Sequence, residues 1–209
     1  MIEAVGLPAP QITRKTGAEP FRCGDILLNR TLLDFWRWSS SDLVSNTLRG
    51  VLAEYIVACA LDIPYNQRVE WDAFDLKTQN GLNIEVKSAA YLQSWQQKAL
   101  SQITFGIQPT CAWEAATNDY TGELRRQAHL YVFCLLHHQD KASLDPLDMN
   151  QWTFFLLASS ALDEKLPAQK TIRLASLLKM NPFQHTYQEL AQAITEGKWR
   201  NDTDTQPGN

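Results

Sequence analysis

The chain lacks several features that would place it in a specialised class of protein. Its 209 residues include four cysteines, at positions 23, 59, 111 and 134, and no two of them form a CxxC pair. A zinc ribbon is therefore disfavoured, and buried, reduced thiols are expected. The nine glycines are scattered and no segment matches the Walker pattern, which argues against a glycine-rich phosphate loop.

Long apolar runs and an excess of positive charge are also missing. No apolar run approaches ~18 residues, so no membrane-spanning helix is expected. The opening residues, MIEAVGLPAP, lack the basic and apolar regions of a signal peptide, so a cytoplasmic protein is expected. Because the formal net charge is -4, nucleic-acid binding would need a local basic patch, for which Lys98, Arg125 and Arg126 are candidates.

The apolar residues that are present, 44% of the chain, suffice for a substantial core in one domain covering 1–209. Their spacing predicts an α/β fold, with a central mixed β-sheet flanked by helices. A segment that wraps the surface is expected at 1–28, and a disordered tail at 200–209. Strands are predicted at 101–107, 127–138 and 152–158, and helices at 29–39, 46–61, 172–179 and 187–195.

One segment combines two acidic residues with a lysine. Asp75 ends an apolar-flanked segment, Glu85 and Lys87 lie in the next, and Asn80-Gly81 between them is a strong hairpin signal. Such a hairpin would bring Asp75 beside Glu85, and strand alternation would place Glu85 and Lys87 on the same face. Two adjacent carboxylates repel each other unless a cation lies between them, and a hard divalent cation fits.

Two alternatives remain open for this segment. The spacing of Glu85 and Lys87 alone also fits an exposed ion pair along an edge strand, which contributes little stability. Asp72 competes with Asp75 for the role of the first carboxylate. Asp75 is preferred because its apolar neighbours on both sides suit the end of a strand.

A third carboxylate lies in the helix predicted at 46–61. Glu54 and Arg49 are its only internal charges, and the surrounding residues are apolar on nearly every side, which predicts burial. A buried, ionised carboxylate needs a partner, a metal or a shifted pKa. The alternative to a functional role is a structural ion pair of Glu54 with Arg49 or another base. Gly50 suggests a close approach to another element.

Together these residues resemble the PD-(D/E)xK nuclease superfamily, which has the restriction-endonuclease-like fold. The pattern is a buried helix with Glu54, then Asp75, then Glu85-Val86-Lys87 on a paired strand. The text GVLAEYIVACAL…FDL…NIEVKSAAYLQSW is also similar to a bacterial branch assigned to that fold. One departure is that Phe74 precedes Asp75 where the superfamily motif has proline, a position that varies among its members.

The resemblance implies a metal-dependent nuclease that hydrolyses DNA phosphodiester bonds, of restriction or repair type. Asp75, Glu85 and the carbonyl of Val86 would bind one Mg²⁺, for which Mn²⁺ could substitute. Glu54 would bind a second ion or orient the nucleophile. Lys87 would position the attacking water or stabilise charge on the phosphate.

The resemblance also suggests where the substrate lies. Ser88, Tyr91, Gln97 and Lys98 follow the motif and are expected to face the substrate, although ordinary packing would explain them equally well. DNA is favoured over RNA, and a homodimer would allow both strands to be cut at once. A second hypothesis is a catalytically inactive nuclease-fold protein that binds nucleic acid or a protein partner. The negative net charge favours it, and the complete four-residue set disfavours it.

Overall fold

The computed structural model describes residues 10–63, 73–111, 113–114, 119–120 and 124–200. The chain divides into two compact units, Met1–Ser41 and Asp42–Asn209. The ends of the predicted surface segment and tail, residues 1–9 and 201–209, lie outside the described residues. One domain over the whole chain stays a prediction.

The first unit contains a hairpin followed by a short helix. Strands β1 (Pro20–Cys23) and β2 (Ile26–Thr31) pair antiparallel, and α1 (Leu32–Ser39) follows directly. A capping box fixes the start of α1: the Thr31 side chain accepts a hydrogen bond from the Asp34 N–H, and the Asp34 carboxylate accepts one from the Thr31 N–H at 2.8 Å. The helix predicted here therefore began a few residues too early, in what is the end of β2.

The second unit is built on a five-stranded mixed sheet with the order β11-β9-β8-β4-β3, in which β4 and β8 are parallel and the other neighbours antiparallel. Its strands are β3 (Leu76–Lys77), β4 (Asn83–Ala90), β5 (Thr104–Gly106), β6 (Trp113–Glu114), β7 (Asp119–Tyr120), β8 (Leu130–Leu136), β9 (Trp152–Ala158), β10 (Thr171–Arg173) and β11 (Phe183–His185). Its helices are α2 (Asn46–Ala60), α3 (Ser159–Lys165), α4 (Leu174–Leu178) and α5 (Tyr187–Thr195), with a 3₁₀ turn at Met149–Gln151.

Both faces of this sheet are covered, which is why β8 and β9 are almost entirely apolar. Helices α2 and α5 pack on one face, through buried residues such as Ile56 and Leu190. Helices α3 and α4 and the small β5–β10 sheet cover the other, through residues such as Phe105 and Leu162. The expected mixed α/β architecture, with a central mixed sheet flanked by helices, is confirmed.

Several element boundaries differ from the sequence prediction. The strand at 152–158 and the helix at 187–195 are confirmed. The helix predicted at 172–179 begins only at Leu174, because Ile172 is buried in a strand that pairs with β5. Strand β5 itself covers only part of the predicted 101–107 segment.

Two residue-level expectations are wrong. A Cβ added at Gly50 would meet no atom within 4 Å, so this glycine does not mark a close approach to another element. All four cysteines are free, but Cys23 and Cys59 are exposed rather than buried. Within the described ranges, none of the helices combines the length and the hydrophobicity needed to cross a membrane.

Candidate active site

The β3–β4 hairpin brings Asp75 to the edge of β4. The Asp75 N–H donates to the Ile84 carbonyl at 3.1 Å, and the Val86 N–H donates to Asp75 Oδ2 at 2.7 Å. Strand β3 pairs only with Asn83 and Ile84, so the next main-chain donor of β4 is met by a side chain rather than by a strand. The position of the Asp75 carboxylate is therefore fixed by two main-chain contacts.

The turn that makes this pairing possible is the one predicted at Asn80-Gly81. Gly81 has a φ of 83°, in the left-handed region that glycine adopts without strain. Its N–H donates to the Thr78 carbonyl, and the Thr78 N–H donates to the Leu82 carbonyl, each at 3.0 Å. The predicted hairpin is confirmed, with a loop longer than a two-residue turn.

The carbonyl of Val86 lies on the same side of β4 as Asp75. In a strand, the N–H and C=O of one residue point to the same edge. Because the Val86 N–H is bonded to Asp75, the Val86 carbonyl is directed to that edge too. A carboxylate and a main-chain oxygen are thus presented side by side.

Glu85 and Lys87 lie on one face of β4, as strand alternation predicts, and the Lys87 ammonium donates to a Glu85 carboxylate oxygen. Their side chains are 19% and 32% exposed, respectively, so the pair is only partly accessible to water. Burial by itself would lower the pKa of Lys87, but the carboxylates of Glu85, Asp75 and Glu54 raise it. The lysine is therefore held in its charged form.

The surroundings of Asp75, in contrast, favour the neutral form of its side chain. Burial and the nearby Glu85 carboxylate raise the pKa of Asp75 to about 7, against the opposing effects of the Val86 N–H and the Lys87 charge. The charge of Glu54 adds to the rise. The site is thus short of positive charge near neutral pH, although it contains a lysine.

Helix α2 brings Glu54 within electrostatic range of both Asp75 and Lys87. The structure thus places Glu54 and Glu85, the other two residues predicted as catalytic, within electrostatic range of Asp75 and Lys87. Arg49, the alternative partner for Glu54, donates instead to the Val44 carbonyl at 2.9 Å and to Asn46 Oδ1 at 2.8 Å.

The residues predicted to face substrate lie in different surroundings, and their role stays a prediction. Ser88 lines a cavity at the carboxyl end of β4, Tyr91 is partly buried against the core on the sheet face that α3 and α4 cover, and Lys98 is exposed. Gln97 braces its own loop, because its Oε1 accepts from the Gln93 N–H at 2.7 Å and its Nε2 donates to the Tyr91 carbonyl at 3.1 Å.

The remaining candidates from the sequence are Arg126, Arg125 and Asp72. Arg126 is buried, donates to the Ile107 and Leu166 carbonyls and pairs with Asp163, so it is a structural residue and not part of a basic groove. Arg125 is exposed. Asp72, the alternative first carboxylate, lies outside the described residues.

Sequence reasoning missed Tyr131, which lies directly opposite Glu85 in the parallel β4–β8 pair. Its side chain is buried, and burial together with the Glu85 charge raises the pKa of its hydroxyl. The run that forms β8 was predicted as a strand, but no local signal gives its register against β4. Within the described residues, no three His, Cys, Asp or Glu side chains form a group that could enclose a metal ion.

Comparison with protein families matches residues 30–181 to the family described as Bacteriophage T4 endonuclease IV. The chain belongs to this family. The match covers well over half of the sequence and includes α2, the β3–β4 hairpin, β8 and β9, so all four candidate residues lie inside it. Membership in the endonuclease IV family places the chain among the nucleases. A search of curated proteins gives no match.

Proposed function

We propose that this chain is a Mg²⁺-dependent nuclease that hydrolyses DNA phosphodiester bonds, with a PD-(D/E)xK-type site on a restriction-endonuclease-like fold. The observation that carries the proposal is the attachment of Asp75 to the edge of β4, beside Glu85 and Lys87. This arrangement puts two carboxylates and a lysine at one strand edge. Membership in the endonuclease IV family supports nucleic acid as the substrate.

The donor set of the site fits a hard cation. Asp75 uses Oδ2 for the Val86 N–H, which leaves Oδ1 for a cation, and the raised pKa of this carboxyl reflects its burial and the nearby Glu85 charge. Asp75, Glu85 and the Val86 carbonyl would hold Mg²⁺, which accepts such sparse protein ligation because it keeps several waters. When bound, the metal polarises a phosphate oxygen and lowers the pKa of a coordinated water.

The other two side chains act on the substrate from fixed positions. Lys87, kept charged by the carboxylates around it, would orient the attacking water or stabilise the charge that builds on the phosphate. Glu54 would orient the nucleophile from α2, or bind a second ion. Burial of the group strengthens these electrostatic effects, because fewer water molecules screen them.

The proposal predicts that Lys87→Ala and Glu85→Ala each lower the cleavage rate by roughly 10²–10³ while leaving the protein folded, since each removes a charge placed at the reacting phosphate. Supercoiled plasmid, linear duplex, single-stranded DNA and RNA would be incubated with Mg²⁺ or Mn²⁺. Circular dichroism of each variant would check the fold.

Lys179→Ala, at an exposed lysine after α4, is the matched control and should cut like the wild type. Full activity of the Lys87→Ala variant would contradict the catalytic role proposed for Lys87. Cleavage in the presence of a chelator would contradict the proposed metal dependence. Cleavage of RNA but not of DNA would show that RNA, not DNA, is the substrate.

A further inference from the structure

A polar cavity of about 450 Å³ opens at the carboxyl end of β4, the strand that carries Glu85 and Lys87. Its wall includes Ser88, the residue that follows Lys87 on the strand. Along a strand that rises ~3.3 Å per residue, the main chain of the cavity wall from Ser88 to Ala90 lies within roughly 10 Å of the Lys87 main chain, and alternation turns the Ser88 side chain to the face opposite Lys87. The cavity is therefore close enough to hold the part of a substrate next to the scissile phosphate.

Arg49 lies in the wall of this cavity with only 4% of its surface exposed. Two of its nitrogens donate to Val44 and Asn46, but among the described residues its Nε has no acceptor. No carboxylate in the described part of the chain forms an ion pair with it, and burial lowers the pKa of the guanidinium. A buried guanidinium without a counter-charge is costly, and it suits a phosphate ligand.

Gln93, in the same cavity wall, contains a hydrogen-bond acceptor that complements the Arg49 donor. It is 7% exposed, and its Nε2 donates to the Ala90 carbonyl at 3.0 Å, which fixes the orientation of the amide because a carbonyl can only accept. Its Oε1 is buried and has no donor among the described residues. Two residues of the cavity wall, Arg49 and Gln93, therefore each contain a buried polar atom, one a cationic donor and one an acceptor, that lacks a hydrogen-bond partner among the described residues.

Trp95 supplies a flat apolar surface at the same cavity. It is 54% exposed, and its loop is held in place. Lys141 Nζ donates to the Trp95 carbonyl at 2.7 Å, and Gln97 bonds back to Tyr91 and Ser101. A braced, exposed tryptophan is a ready platform for a nucleic-acid base, since every base has a face that can stack.

We propose that this cavity binds a nucleotide of the substrate strand next to the scissile phosphate, with its phosphate at Arg49, its base stacked on Trp95 and a base or sugar donor at Gln93. This inference rests on the proposed nuclease function and specifies how the strand is held. It also explains how a chain with net negative charge can bind a polyanion: the positive charge is buried and local.

The test measures binding of a fluorescein-labelled single-stranded DNA oligonucleotide by anisotropy in chelator, where no cutting interferes. Arg49→Met and Trp95→Ala should each raise the Kd about tenfold or more. Arg49→Met should also lower the slope of log K against log salt by about 0.7, because one phosphate contact is lost, and Trp95→Ala should leave that slope unchanged. Trp95→Phe should keep much of the affinity.

Matched controls remove an exposed arginine and an exposed tryptophan elsewhere, with Arg173→Met and Trp38→Ala. If Arg49→Met does not fold, as judged by its thermal melt, the Trp95 variants alone decide. Binding by both Trp95 variants at wild-type affinity would overturn the inference. So would displacement of the oligonucleotide by micromolar deoxynucleoside monophosphate, which would make a free nucleotide the ligand.

The same variants separate this inference from the proposed function. Lys179→Ala, the exposed-lysine control of the cleavage assay, should bind the oligonucleotide within about twofold of the wild type. Cleavage by the wild type with unchanged binding in the Arg49 and Trp95 variants would overturn the cavity assignment and leave the nuclease in place. Binding that depends on Arg49 and Trp95, without cleavage under any condition, would support the cavity and overturn the nuclease.

Discussion

Asp75 is the residue at which stability and the proposed function oppose each other. Its pKa, raised from 3.8 to about 7, means that the folded protein binds more protons than the unfolded chain between those two pH values. The free energy of unfolding must therefore fall as the pH rises through that range. A bound divalent cation would offset this loss, because it binds the ionised carboxylate.

Replacement of Asp75 by asparagine should consequently raise the melting temperature at pH 8 in chelator, and change it little at pH 4. The amide oxygen can still accept from the Val86 N–H, so the hairpin contact is kept. Differential scanning calorimetry at the two pH values tests this, with Glu164→Gln on α3 as the control for loss of an exposed negative charge. A lower melting temperature for Asp75→Asn at pH 8 would contradict the electrostatic account.

Three of the four candidate residues predicted from the sequence share one property, while the fourth, Glu54, was predicted from the apolar pattern of its own helix. Asp75, Glu85 and Lys87 are joined by a single hairpin, so their grouping follows from the turn at Gly81 and from strand alternation alone. Tyr131 and Arg49 could not be placed in this way. Their positions depend on the register of β4 against β8 and on how α2 packs on the sheet, which are set by contacts far apart in the chain.

Two glycines make opposite contributions to the elements that build the site. Gly50 lies inside α2 with open space around its missing Cβ, so Gly50→Ala should stabilise the protein by roughly 0.5–1 kcal/mol. Gly81 has a φ of 83°, so Gly81→Ala should cost roughly 1–2 kcal/mol. Urea unfolding measures both, and Gly81→Asn, which tolerates this conformation, should lose less. Equal effects at Gly50 and Gly81 would refute the conformational argument.

The limits of a helix or strand could be predicted where the hydrophobic pattern and the capping residues indicated the same boundaries. Strand β9 and helix α5 have the predicted limits, and α5 begins at a Thr186–Glu189 capping box. Strands β10 and β11 are short and partly exposed, and they exist because they pair with β5 and β9. Propensity in so few residues cannot predict such pairing, because tertiary contacts decide it.

At the scale of the whole molecule, the unit Asp42–Asn209 contains the five-stranded sheet, the four candidate catalytic residues and the polar cavity. A chain that begins at Asp42 should therefore melt cooperatively and cut at a rate close to that of the full chain. Removal of residues from 186 onward should instead prevent folding, because Leu190 and Ile194 belong to the core. Circular dichroism melts and plasmid cleavage compare the two truncations. If the chain that begins at Asp42 fails to fold, residues Met1–Ser41 are needed for the stability of the second unit.

The edge of β4 beyond Ile84 has a consequence for solubility. An uncovered strand edge is a template on which a second molecule can add a strand and begin to aggregate. Here the Val86 donor is occupied by Asp75, and Glu85 and Lys87 place opposite charges along the same stretch of strand. The groups proposed to bind a metal and a phosphate would thus also hinder neighbouring copies of the protein from pairing edge to edge along this stretch of β4.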